Sequence, residues 1–171
     1  MLATTAIPRG GAGWATSAWS DWNTGGMPVV PPPLIALAAG VAQHRLASGS
    51  RPGGVRTIGA GAAAAGSLWL LAATSARFRR AGTTFEPFDP SRATELVTSG
   101  PNAVTRNPMY AGMAGLLTAH AVYRGGWATI LPVAGFVGVI DRVQIRPEET
   151  ALRELFGTAY DDYCRSVRRW L

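Results

Sequence analysis

Apolar positions in this chain fall into blocks separated by short polar, arginine-bearing or proline-bearing stretches. The first block, Met27–Ala47, opens with Pro31, Pro32 and Pro33, and a helix is expected from Leu34 to Leu46. That length is short for a bilayer span, which takes about 20 residues. A Gly/Ser/Pro linker, Ser48–Gly54, follows. The second block, Ile58–Ala76, runs 19 residues without a charge and stops at Arg77, Arg79 and Arg80; it is the clearest span. Its Gly59, Gly61 and Gly66 fit small-residue packing between membrane helices. The third and fourth blocks, Ala111–Val122 and Trp127–Ile140, form a hairpin through Tyr123–Gly126 and borrow turns from Arg106–Tyr110 and Asp141–Ile145.

Past Arg146 the pattern changes. Leu152, Phe156, Tyr160, Tyr163, Val167 and Trp170 recur at helical spacing, with polar residues between them. This predicts an amphipathic helix, or two short ones divided at Gly157, folded over the membrane body. Phe156, Tyr163 and Trp170 are read as packing residues. The expected fold is all-α: an integral membrane bundle of about four transmembrane helices plus a C-terminal amphipathic helix. Residues 1–27 are expected to be a flexible arm. Its Trp14, Trp19 and Trp22 suit either an interfacial anchor or loose packing on the body. Residues 28–171 form one domain.

Composition agrees with lipid surroundings. The 171 residues are 47% hydrophobic and only 15% charged. All 16 basic residues are arginine, and they flank apolar blocks instead of forming a stripe, which argues against nucleic acid despite the net charge of +6. The single Cys164 excludes an internal disulfide, and His44 and His120 lie in separate blocks, so no metal is expected. His120 is read as a neutral mid-span histidine satisfied by a neighbouring helix. With four spans, twelve arginines fall on the side of the N-terminal arm, the Arg77–Arg106 loop and the C-terminal tail. Arg45, Arg51, Arg56 and Arg124 fall on the other. That asymmetry predicts an inner-membrane protein with both termini and the polar segments cytoplasmic.

Between the second and third blocks lies the stretch from Glu95 to Tyr110, ELVTSGPNAVTRNPMY. Pro108 suits the first turn of a helix, where its missing N–H is no loss. Arg106 and Asn107 then sit at a helix N-terminus, which favours an anionic group. Glu148 and Glu149 follow Pro147 at the next polar helix start.

Two ordered blocks carry a resemblance. Leu96–Gly100 with Arg106–Tyr110 forms the first. Glu148-Glu149-x-x-Leu152-x-x-x-Phe156-Gly157-x-x-Tyr160-x-x-Tyr163, closing on Val167–Trp170, forms the second. Together they resemble the isoprenylcysteine carboxyl methyltransferase family, whose wider group includes phospholipid N-methyltransferases. The resemblance covers Gly82 to the C-terminus, and the first two spans match in general character.

It implies an S-adenosylmethionine-dependent membrane enzyme without a Rossmann domain, its cofactor held by residues 82–110 and 141–171. Carried over by position, Thr94, Leu96, Val97 and Asn102 line the cofactor, Asn107, Pro108, Met109 and Tyr110 form a second wall, and Glu148 is the polar anchor. Glu149 points about 100° away on a helix and has the lesser part. Arg106, Tyr110, Arg142 and Arg146 are the catalytic candidates.

The acceptor implied is a lipophilic or small molecule at the cytoplasmic membrane face, methylated on carboxyl, amine or thiol. Three positions depart from the family pattern. Asn107 stands where the motif histidine is found and cannot titrate. Asn102 replaces a common aromatic. Gln144 aligns with the substrate-facing arginine, which makes an uncharged or amine acceptor the better expectation. A nicotinamide-binding membrane reductase and a non-catalytic protein of the same fold are the rival readings. The sequence does not set the oligomeric state.

Overall fold

The computed structural model describes residues 30–47, 49, 51–80 and 96–171. The expected N-terminal arm, Thr94 and most of the loop around it lie outside the described residues. What is described is helical, with no strand among the described residues. Helix α1 is Pro32–Leu46, α2 is Gly54–Arg80, and α3 is Pro108–Arg124, preceded by a 3-10 turn at Gly100–Ala103. A continuous column follows: a 3-10 turn Trp127–Ile130, α4 Leu131–Ile140, a π turn Asp141–Ile145, and α5 Arg146–Phe156. Helix α6, Thr158–Ser166, closes the fold.

Prolines open α1 and α3, as their fixed φ and missing N–H favour. Pro147 is the second residue after the π turn. It has no N–H to return to the preceding ladder, and the extra residue of the turn sits just ahead of that gap. Gly157, at φ +55, separates α5 from α6, so the C-terminal amphipathic segment is two helices.

Among the described residues two columns are long and apolar enough to cross a bilayer, Gly54–Arg80 and Trp127–Phe156. In the second, the charge-free part ends at Ile140, and Asp141 and Arg142 mark its edge. Beyond it Arg146, Glu148, Glu149, Arg153 and Glu154 crowd one short helix. Helices α1 and α3, at 15 and 17 residues, reach roughly 22 and 26 Å at the standard rise, less than the ~30 Å of a hydrocarbon core. Val55, Ile58 and Trp69 point outward from α2, at 88%, 74% and 68% exposure, an apolar surface suited to lipid.

Apolar burial does not by itself drive helices together in lipid, so close packing and hydrogen bonds matter more. Small residues bring α2 and α3 together, though not the expected ones. Gly59, Gly61 and Gly66 face open space. The contact glycines are Gly112 and Gly115 on α3. A Cβ at Gly112 would stand 2.7 Å from Leu71 Cγ, and one at Gly115 would run into Ser67 Oγ. An Ala- and Gly-rich sequence shows which helix is smooth, but not which of its faces is covered.

The expected α3–α4 hairpin exists, and α1 packs against both of its arms. Gln43 Nε2 donates to Leu117 O at 2.9 Å and to Thr129 O at 3.0 Å, while Gln43 Oε1 meets His120 Nδ1 at 2.8 Å. One fully buried amide thus joins α1, α3 and the start of the long column. His120 is satisfied by a neighbouring helix, as expected. Tyr110, Leu117, Phe136, Ile140 and Ile145 form the core, and Trp170 packs on it from the C-terminal end.

Candidate active site at the foot of the third helix

Helix α3 begins at Asn107–Pro108, and its first turn brings Tyr110 against the start of α5. Tyr110 Oη donates to Glu148 Oε1 at 2.6 Å, and Gln144 Nε2 donates to the same oxygen at 2.7 Å. Gln144 belongs to the π turn and lies one turn before Glu148, so both reach one face. Desolvation lifts the Glu148 carboxyl to about 7. The bonds from Tyr110 and Gln144 work the other way, and the charge of Glu149 adds to the rise.

The adjacent carboxylate has a different setting. Glu149 is buried and takes Arg106 Nη2 at 2.8 Å, Arg169 Nε at 2.9 Å and Arg169 Nη2 at 2.6 Å. Desolvation opposes its charge, but the bonds from Arg169 and Arg106 outweigh it and hold the carboxyl below the usual range. Arg169 Nη1 continues to Asp141 Oδ1 at 3.3 Å, which also accepts from Trp170 Nε1 at 3.2 Å. Glu149 is the structural centre of the network and not a minor helix-start residue.

Arg106 is fully engaged at its terminal nitrogens. Nη1 donates to Val167 O at 2.8 Å and to Cys164 O at 3.2 Å, and its backbone N–H donates to Arg168 O at 2.8 Å. Thr105 Oγ1 and Asn107 Nδ2 both donate to Arg169 O at 3.0 Å. The Thr105–Asn107 stretch thus binds the C-terminal strand of chain by its carbonyls, a contact that fixes backbone and is indifferent to the side chains it carries. Its residue spacing gave no sign of this pairing.

On the other side of the motif, Tyr163 Oη donates to Asn102 O at 2.7 Å. Burial pushes the Tyr163 phenol up to about 12, so it stays a donor. Asn102 Oδ1 is buried and has no hydrogen-bond partner among the described residues. Such an orphaned acceptor is costly unless a ligand donor meets it. Arg77 at the end of α2 bonds Ser99 Oγ and crosses Gly100, where a Cβ would stand 2.9 Å from Arg77 Nε. The positive φ of Gly100, +67°, is the second reason for glycine there. Ser75 Oγ lies 3.9 Å from Met109 Sδ.

The structure therefore brings Arg106, Asn107, Pro108, Met109, Tyr110 and Glu148 to one end of the bundle, with Asn102 beside them. Leu96 and Val97, half-buried, lead into the same turn. Arg142 and Arg146 are exposed, and Arg146 Nε turns to Asp141 Oδ2 at 3.5 Å. The residue between them that does reach Glu148 is Gln144. The i,i+4 spacing of Gln144 and Glu148 was the available signal for that pair. Nothing local signalled Arg169, which comes to Glu149 only because α6 folds back.

A family model described as phospholipid methyltransferase matches residues 55–159, from the start of α2 to the first turn of α6. The chain belongs to the phospholipid methyltransferase family. The matched region contains Tyr110, Gln144, Glu148 and Glu149 and stops before Arg169 and Trp170. The chain is also similar to a Haemophilus influenzae protein described as uncharacterized, 40% identical over 63 residues, which is 37% of this chain and all of that one. No solved structure matches. Family membership and the two apolar columns point to membrane association and methyl transfer.

Proposed function

We propose that the chain is an S-adenosylmethionine-dependent methyltransferase of a four-span membrane bundle, acting on a lipophilic acceptor at the cytoplasmic face. One observation carries the reading: the Glu148 carboxyl is drawn to Tyr110 Oη and Gln144 Nε2 at the foot of the helix that follows Arg106–Asn107–Pro108.

The residues present fit the cofactor. Glu148 offers a carboxylate to its amino group or ribose diol, and the orphaned Asn102 Oδ1 offers an acceptor within the same turn region. The first-turn N–H groups of α3 suit its carboxylate. Thr94, Leu96, Val97, Asn107, Pro108 and Met109 are proposed to wall it. When bound, the cofactor supplies an electrophilic methyl on a sulfonium. Arg106 does not touch it in this reading. Arg106 is a positioning residue that ties the C-terminal chain to the motif and keeps Glu149 occupied, leaving Glu148 for the ligand.

Methyl transfer to a neutral acceptor disperses charge at the reacting centre, so alignment and exclusion of water matter more than a strong base. Tyr110 and Gln144 fix the carboxyl by donating to a single oxygen. Gln144 carries no charge to neutralise an acceptor carboxylate, which favours an amine or other uncharged acceptor over a prenylcysteine carboxylate. Arg142 and Arg146, both exposed, are left with an interfacial part at most in substrate approach. The twelve-to-four arginine asymmetry supports a cytoplasmic site.

The test is methyl transfer from labelled S-adenosylmethionine to a total lipid extract by purified protein, with identification of the labelled product. Label in an amine-bearing lipid supports the reading. Stabilisation by NADPH, with no response to either sulfur nucleoside, would support the reductase alternative instead.

A further inference from the structure

The opposite end of the bundle has its own architecture. A groove of about 520 Å³ lies between α1 and α3, lined by Leu37, Gly40, Val41, Met113, Leu116 and Leu117 among others, with His44 and His120 along it. It opens sideways: Leu37 and Val41 are 64% and 53% exposed. His120 stands roughly 15 Å along α3 from Tyr110, at 1.5 Å per residue, so the histidine end of the groove is separate from the Glu148 site.

Charge at this end is unbalanced. The six acidic residues among those described all lie between Asp141 and Asp162, at the other end. Here stand Arg45, Arg56 and Arg124 with His44 and His120, and no carboxylate among the described residues of α1, α2 or α3. Arg56 is occupied, donating to Val122 O at 3.2 Å and Tyr123 O at 2.8 Å. Arg124 Nε is buried without a hydrogen-bond partner among the described residues. Arg124 follows His120 by four residues, so the two share a face of α3, and His44 lines the groove with His120. A laterally open apolar groove with two histidines along it, an arginine one turn beyond and no carboxylate nearby is complementary to one class of molecule.

We propose that the α1–α3 groove binds an anionic phospholipid, one acyl chain lying along Leu37, Val41 and Leu116 and the phosphate meeting His44 and Arg124. The bound lipid is not the methyl acceptor, because its headgroup sits at the far end of α3 from Glu148. It bridges α1 to α3 beside the polar contact that Gln43 makes with His120 and Leu117. Gly40 leaves the floor open. A Cβ there would only touch Leu117 Cδ2 at 3.8 Å, so a larger side chain would fill the groove without moving backbone.

The experiment is native mass spectrometry of the full chain released from nanodiscs of equimolar phosphatidylglycerol and phosphatidylcholine. The expected result is one retained lipid per protein, with phosphatidylglycerol preferred by about five-fold or more, as expected for ~1 kcal/mol per basic contact at a membrane surface. Arg124→Gln with His44→Gln should bring the preference to parity. Gly40→Leu should abolish retention of either lipid while circular dichroism stays unchanged. Equal retention of both lipids by the wild type overturns the proposal. So does a preference that survives both variants, and one lost only on Arg79→Gln with Arg80→Gln would place the headgroup at the other end of α2.

Discussion

The two ends of this bundle solve the same problem with different chemistry. Both must hold helices whose polar groups cannot turn to water. At the far end a single neutral amide, Gln43, satisfies two backbone carbonyls and a histidine. At the site end two carboxylates and two arginines do the work: Glu149 with Arg106 and Arg169, and Asp141 with Arg169 and Trp170. The neutral junction is local and needs no partner from the chain terminus. The ionic junction gathers chain from the segment just before α3, the π turn, α5 and the last residues. It costs desolvation, and in return it fixes a carboxylate, Glu148, beside a network that does not consume it.

The largest way to break this contrast is Glu149→Gln. It leaves Arg106 and Arg169 facing each other, with Arg106 only 12% exposed at its side chain. Removing one partner of a buried pair costs about 3–5 kcal/mol, somewhat less here because Arg169 is a third exposed. Thermal unfolding in detergent should show a large loss, and loss of monodispersity on size exclusion should accompany it. A shift like that of an exposed pair would mean that the strap is held by its carbonyl contacts alone.

Gln43→Leu tests the neutral junction. It removes the amide bonds at Leu117 O and Thr129 O and the partner of His120 Nδ1, and about 1–3 kcal/mol should be lost, without effect on cofactor affinity. The same assay separates the glycine faces. Gly112→Leu should cost about 1–3 kcal/mol by overpacking against Leu71, whereas Gly61→Ala should be neutral or gain up to ~1 kcal/mol from helix propensity. Equal responses would remove Gly112 and Gly115 as the packing surface.

The two neighbouring glutamates should also differ in pH dependence. The Glu149 carboxyl is held below its ordinary value, so its stabilisation is present above that value and lost as pH falls through the lower folded one. Glu148 is raised from 4.5 to about 7, so its ionisation costs stability as pH climbs through that window. Glu148→Gln should then stabilise the ligand-free protein above pH 7 relative to wild type and leave stability below pH 4.5 unchanged. The effect is the smallest of the set, and a pH series of unfolding temperatures reads it.

Much of the helical pattern was legible because apolar block length and proline position act locally. Pro108 opens α3 where expected, and Gly157 breaks the C-terminal segment. The ends were less so: α2 extends to Gly54 and Arg80, past the charge-free run, because a helix can carry arginines at its ends. Of the site, Tyr110 with Glu148 came from matched motifs. The role of Glu149 did not, since its partner Arg169 is 20 residues away and arrives through the fold of α6. The π turn that places Gln144 beside Glu148 has no mark in the sequence other than Pro147.

The most direct measurement is calorimetric titration of the purified protein in detergent with S-adenosylmethionine and with its demethylated product, for wild type and Glu148→Gln. Saturable wild-type binding of both nucleosides is expected, weakened in the variant by ~1–3 kcal/mol, the worth of a hydrogen bond to a charged group, with unfolding at pH 7 no earlier than wild type. No binding of either nucleoside to folded wild-type protein, or identical affinity in the variant, would contradict the account of Glu148 as the carboxylate kept for the cofactor.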